Sequence, residues 1–458
     1  MLAVQRKRTH PRHAVLFILV LCSCITAVRA QKSILRVLNA DSLVGRLVNG
    51  VEYRELIGNV RIQQEKVFIT CDRALQNITD NSAELTGRVV LTQDTLILKT
   101  DAGFYNGNTK TASSTSGVYL NDGHVTLRAR YGSYETEPRR ARFTSHVDVE
   151  DSTVRIFSDT LFYERDSAKA VASGRVLMTY KRDNSVIQGD SAIHYTERKI
   201  SFFPQRPRLW EIDSVVVTRD SITNAVDSLR LDTLSIVADR MEAYRDSSNR
   251  FFALGNVEIV RRDLSARCAE ALFFRNDSTI VLRGQPVLWY ELNQMTGDSI
   301  AVFLANNRIE RMSIVGNAFS LSQSKAAEKD TVYPQGRYDQ TKGKVILIFF
   351  KNDKASLIRV ERTAISLYYL YDDRALNGVR RESGDLIVIE FADGKAETIH
   401  TLGGIEGTYY PEKFVTGKES TYNLEGFEWK TDRPVQPPYP ADTRLGTPKT
   451  RQASPKSG

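Results

Sequence analysis

Gly58-Asn59-Val60-Arg61-Ile62, Gly87-Arg88-Val89-Val90-Leu91, Ser116-Gly117-Val118-Tyr119-Leu120, His146-Val147-Asp148-Val149 and Gly174-Arg175-Val176-Leu177-Met178 are five versions of one pattern. Their valines, Val60, Val89, Val118, Val147 and Val176, stand 29 residues apart. A fixed period means a fold built by repetition. Repetition supplies a long continuous surface more readily than one compact pocket, which favours binding or transport over ordinary catalysis.

Within each copy apolar and other residues alternate, the period-two signal of a strand. One strand of a full repeat would be about 95 Å long, so each unit is expected to fold as two or three short strands with polar turns. Pairs such as Asn106-Gly107 and Asp122-Gly123 are turn residues that tolerate positive φ. No convincing amphipathic helix is visible, so the chain reads as all-β.

A second feature keeps step with the valines. Asp72, Asp101 and Asp159 are in register, Arg130 fills the slot between, and Asp190 follows two residues late. An aromatic comes four or five residues on, as Tyr105, Tyr134, Tyr163 and Tyr195. The valine pattern resumes at Gly255-Asn256-Val257-Glu258-Ile259, with Pro286 a further 29 residues on and a looser copy at Gly316-Asn317-Ala318. Arg206-Pro207-Arg208-Leu209-Trp210 is a looser repeat inside the gap, and the remainder reads as an insertion near 213–233.

Arg6, Lys7, Arg8 and Arg12 precede an apolar run from Ala14 to Val28, and Val28-Arg29-Ala30 is a small-x-small cleavage site. This is a secretory signal peptide, expected to be cut after Ala30. Leu21-Cys22-Ser23-Cys24 offers Cys24 as a weaker, lipoprotein alternative. Removing Arg6, Lys7, Arg8, Arg12 and Arg29 lowers the formal net charge from +8 to +3. The basicity is therefore largely a targeting signal, and no nucleic-acid footprint remains. Cys71 and Cys268 survive and read as small buried residues rather than as a disulfide framework.

The expected organisation is a signal peptide over 1–30, a repeat array over 31–325, a second β region over 326–410, and a Pro-rich, basic, unstructured tail over 411–458.

Chemistry is hard to find. Gly189-Asp190-Ser191 and Gly297-Asp298-Ser299 look like the nucleophile block of some lipases and esterases. Both occupy the repeat's own Asp position, where turn chemistry accounts for them. His124, His146, His194 and His400 are scattered singly, so no metal site is expected. Neither an enzyme nor a cofactor is expected. The stacked apolar columns are left to carry function. They form either a packed core or an open apolar channel for acyl chains, and periodicity does not separate the two.

The Gly-Asn-Val-x-Ile run, the Asp-x-x-x-Tyr-type run after it and the signal peptide together resemble the LptA/OstA family of periplasmic lipopolysaccharide-transport proteins. Asn317-Ala318-Phe319-Ser320 followed by Tyr338-Asp339-Gln340-Thr341-Lys342-Gly343-Lys344 is similar to its long, OstA-like members, and Ala364-Ile365-Ser366-Leu367-Tyr368-Tyr369 looks like a divergent copy. The resemblance implies an elongated, repetitive antiparallel β-jellyroll with an apolar groove, located in the periplasm. It implies lipopolysaccharide or a related glycolipid as ligand. It also implies end-to-end β-strand contacts with inner- and outer-membrane transport proteins, with self-association as a further expectation. By that resemblance the groove is lined by Val60, Ile62, Val89, Leu91, Val118, Leu120, Val147, Val149, Val176, Met178, Val257 and Ile259. Two other readings compete: a secreted β-helix enzyme or adhesin acting on polysaccharide, which needs a carboxylate pair or metal cluster on one face, and a purely structural envelope protein with a closed interior.

Overall fold

The corners decide the architecture. In a computed structural model describing residues 33–442, apart from 184, 220–225, 263, 306–307, 326–333, 353, 374 and 393–394, thirty strands hydrogen-bond into one antiparallel sheet. The segment expected to be a signal peptide, with Cys24, and residues 443–458 lie outside the described residues. Long strands such as Val51–Gln64, Ser82–Gln93, Arg140–Glu150, Lys169–Tyr180 and Arg250–Arg261 each contain two consecutive residues with positive φ. These are Gly58/Asn59, Gly87/Arg88, Ser145/His146, Gly174/Arg175 and Gly255/Asn256. The pairing register slips at each of these points, as between Ile57 and Val60 and between Thr86 and Val89. A two-residue left-handed step bends a strand sharply. Repeated in register, it folds the single sheet along one line into two facing layers.

The 29-residue period is therefore one outward strand plus one return strand. Each repeat valine is the first residue past the corner. It points inward, and two-residue alternation brings the next apolar partner inward as well. We call the part of each strand on the valine side of the corner the first layer and the other part the second. Apolar side chains of both layers meet in one continuous buried cluster running from Leu35 to Ile389.

The motif's chemistry follows from the corner. Asp41, Asp72, Asp159, Asp239 and Asp298 on neighbouring strands press their carboxylates against the corner glycines Gly58, Gly87, Gly174, Gly255 and Gly316, where a Cβ would lie 2.1–2.6 Å from a carboxylate oxygen. The second corner residue reaches back to the same carboxylate: Asn59 to Asp41 at 2.9 Å, Arg88 to Asp72 at 2.6 Å, Arg175 to Asp159 at 2.6 Å, Asn256 to Asp239 at 2.8 Å and Asn317 to Asp298 at 3.1 Å. Gly-Asn and Gly-Arg are thus two solutions to one corner. Asp101, in phase, and Asp190, two residues late, both stand exposed. Arg130 occupies the slot through its backbone, donating its N–H to the Ser145 carbonyl.

The insertion expected near 213–233 lengthens a hairpin. Strands Arg208–Arg219 and Val226–Val237 pair antiparallel from Arg208↔Val237 out to Arg219↔Val226. Strand Arg308–Gln323 pairs with Tyr338–Lys351, so the sheet runs unbroken into the second β region.

The tail departs from expectation. Residues 412–442 are packed against the sheet rather than unstructured. One helical turn, Glu412–Val415, buries Val415, and with Leu424 it joins Phe319, Leu321, Leu367, Tyr369 and Val379 in a second apolar cluster. An extended segment then crosses the outside of the first layer. The physical reason is a row of outward-facing apolar side chains there, among them Trp210 and Trp289, that would otherwise meet water.

Candidate functional site

All twelve residues expected to line a groove lie in the continuous core, and none is more than 5% exposed. Over Val60 to Met178 the buried apolar side chains of both layers belong to one continuous cluster. Of the twelve, Ile259 also lines a cavity.

A row of buried polar rungs holds the two layers together where their free ends meet. Gln64 accepts from the Tyr105 hydroxyl at 2.8 Å, Gln93 from Tyr134 at 2.6 Å, and Asp122 from Tyr163 at 2.5 Å. Asp151 bonds His194 Nε2 at 2.8 Å, and the His194 Nδ1 meets the Ser201 hydroxyl at 2.9 Å. Asp183 pairs with Arg245 at 2.9 Å, and Glu211 with Arg275 at 2.7 Å. Each rung joins a first-layer residue to the second layer three strands later, so the twist of the sheet sets a constant offset. Gln64, Gln93, Asp122 and Asp151 are 29 residues apart, as are Tyr105, Tyr134 and Tyr163. The aromatic series of the repeat is the donor series of these rungs, with one change. His194 takes the fourth place, while Tyr195 points outward and packs edge-on against Phe202.

Buried polar groups of this kind hold position because each has a partner. Burial pushes the Tyr163 hydroxyl up, reinforced by the hydrogen bond to Asp122. Burial also pushes the Asp151 carboxyl up, but the His194 hydrogen bond and charge overcome it and leave the carboxyl below its ordinary value. Desolvation of Asp183 is likewise outweighed, by Arg245 and then Arg275.

The rungs stop after Glu211–Arg275. The next first-layer position is Arg261, and the second-layer position three strands on is Leu304. Between them lies a cavity of about 240 Å³ opening between the layers. Leu234, Ile259, Leu264, Ala266 and Leu288 line it from the first layer, and Ile280, Leu282, Val302, Leu304 and Ile309 from the second. Its rim carries Arg261, Arg262, Arg308 and Glu291. Both Arg261 and Arg262 pair with the buried Asp232. Beyond the gap the layers touch again, with the Tyr290 and Phe350 rings 5.4 Å apart.

Apart from Ile259, these lining residues escape the sequence reading, because the 29-residue phase treats every repeat as equivalent. The available signal is the loss of the polar series: beyond His194 its positions become Ala243, Phe273 and Val302, and while Arg245 and Arg275, two residues on, keep rungs at the first two, Leu304 leaves the third without one.

Cys71 and Cys268 are both free and buried, and desolvation pushes their thiols up, to about 11 and about 12. Among the described residues no helix is long and apolar enough to cross a membrane.

Residues 32–181 match the protein family described as OstA-like protein, so this stretch of the chain is OstA-like. No curated protein matches the chain. Among solved structures it is similar to the crystal structure of LptH, the LptA-homologous periplasmic component of the conserved lipopolysaccharide transport device from Pseudomonas aeruginosa. That similarity has 14% sequence identity and a TM-score of 0.25, and it covers 32% of this chain and 95% of that one.

Proposed function

We propose that this chain, OstA-like over its first third, is a periplasmic lipid carrier or bridge. It shelters acyl chains of lipopolysaccharide, or of a related glycolipid, between its two β layers on the way to the outer membrane, without catalysis. The observation that carries the reading is the apolar cavity where the rungs stop. Burying an acyl chain is worth about 0.8 kcal/mol per CH₂, so the protein need only offer shelter from water at each step of transfer. The three rim arginines, set against Asp232 and Glu291, leave a small positive excess that suits an anionic headgroup held at the surface while the chains lie inside. The runged part of the sheet acts as a strut, and the lipid-accessible part is confined to the region of 234–309. The exposed strand edges at either end of the sheet supply end-to-end contacts with other jellyroll units of a transport machine.

Photocrosslinking amino acids placed one at a time in the envelope-resident protein test this reading. Crosslinkers at Leu282 and Leu304 are expected to capture lipopolysaccharide, whereas those at Leu91 and Leu120 capture only protein. Equal lipid capture at all four positions would show that the rungs do not close the interior. No lipid capture at Leu282 and Leu304 would remove the carrier role.

A further inference from the structure

We propose that residues 424–439 form an external tie that fixes the spacing of the first-layer strands across the gap in the rungs. The segment is anchored at both ends on closed parts of the molecule. At one end Leu424 is buried in the second apolar cluster, and Gln340 bonds both the Asn423 side chain and the Leu424 N–H. At the other, Tyr439 packs on Phe157, Leu177 and Val186, on strands that belong to the runged half.

Between these anchors the segment touches, one after another, the strands that wall the cavity and strands next to them. Gln294 donates to the Glu428 carbonyl at 2.7 Å and accepts from the Lys430 N–H at 2.7 Å. The Trp289 indole donates to the Lys430 carbonyl at 3.3 Å, and Arg267 pairs with Asp432. Arg433 donates to the Ser265 hydroxyl at 2.6 Å and to the Glu291 carbonyl at 2.8 Å, and Gln436 donates to the Thr233 carbonyl at 3.4 Å. The Trp210 indole reaches the Pro437 carbonyl at 3.2 Å. Strand alternation makes these contacts bear on the cavity. Trp289 faces the segment while its neighbours Leu288 and Tyr290 face the cavity. Ser265 stands likewise between Leu264 and Ala266, and Thr233 precedes Leu234.

Where rungs exist, the layers are held from inside. Where they are missing, the first layer is braced from outside instead. The composition suits a brace. Pro434, Pro437, Pro438 and Pro440 restrict the free segment to extended conformations, which lowers the entropy lost on docking. Prolines also lack the N–H groups needed to join the sheet as a strand.

Amide hydrogen exchange on the lipid-free mature chain tests the tie independently of any lipid. Truncation after Thr431 should speed exchange about tenfold in 232–237, 257–268 and 286–296 while leaving 60–71 and 89–106 unchanged. The paired substitution Arg433→Ala, Gln436→Ala leaves the Leu424 and Tyr439 anchors and the prolines in place and should raise exchange in 232–237 and 286–296 by about threefold. Unchanged exchange at the gap in both variants overturns the proposal, as does an equal rise over 60–71. Because no lipid enters the measurement, its failure would leave the carrier reading standing, and failed lipid capture would leave the tie standing.

Discussion

Tyr163 and Tyr195 look equivalent in the sequence, yet only one of them bridges the layers. The Tyr163 hydroxyl donates to Asp122, a residue 4% exposed, and Tyr195 lies on the outer face. Tyr163→Phe therefore strands a buried carboxylate oxygen and should cost about 1–3 kcal/mol in urea denaturation, whereas Tyr195→Phe should stay within about 0.5 kcal/mol. Equal effects would mean that the rung contributes nothing beyond its ring. The next rung adds a pH dependence. The Asp151 carboxyl is held below its ordinary 3.8 in the folded state, so its contribution is fully present above that value and is lost as pH falls through the folded pKa. The stability difference between the wild type and Asp151→Asn should accordingly shrink as pH falls below 3.8, as read by denaturation midpoints between pH 5 and 2.5. A gap that widens on acidification would contradict this sign. The donor series Tyr105, Tyr134 and Tyr163 is legible in the sequence. Its partners are not, because each lies about 41 residues upstream, a distance fixed only by the three-strand offset between layers.

The corner is the element on which the fold turns, and its glycine is set by two constraints at once. Gly174 has φ +75°, and an added Cβ would lie 2.6 Å from the Asp159 carboxylate. Gly174→Ala should cost about 1–3 kcal/mol through backbone strain and displacement of that carboxylate. Gly45→Ala, at an open position without positive φ, should be neutral or slightly stabilising. Matching midpoints for the two variants would show that the corner is not under strain. The Arg175–Asp159 pair itself is largely exposed, so it orients the bend more than it stabilises it. Val60 through Val176 reveal the period, and the alternation reveals strands. The doubled left-handed step that turns one sheet into two layers shows only in the backbone, since Gly-Asn and Gly-Arg read equally well as ordinary turns. The tail misleads for a similar reason. Its apolar anchors Leu424 and Tyr439 are few and far apart, so a Pro-rich segment with little apolar content of its own is held by strands distant in the sequence.

At the scale of the molecule, a folded-over sheet has ends. Strand Ser42–Val48 pairs on one side only and is exposed along its whole length. It presents Leu43, Val44, Leu47 and Val48 to solvent, with Leu47 76% exposed. An open edge with apolar side chains is a template for another strand, and native proteins usually blunt such edges with lysines or bulges. Here Arg46 is the one charged residue in the strand, and it is paired with Glu55. This unblunted edge is the surface we assign to end-to-end contact. In sedimentation velocity at tens of micromolar, the chain from residue 31 onward should associate with increasing concentration, and Leu47→Lys should weaken that association about tenfold. The same substitution should leave the thermal midpoint nearly unchanged, since Leu47 contributes nothing to the core. A wild type that stays monomeric throughout, or a variant that associates as before, would take the joining surface away from this edge.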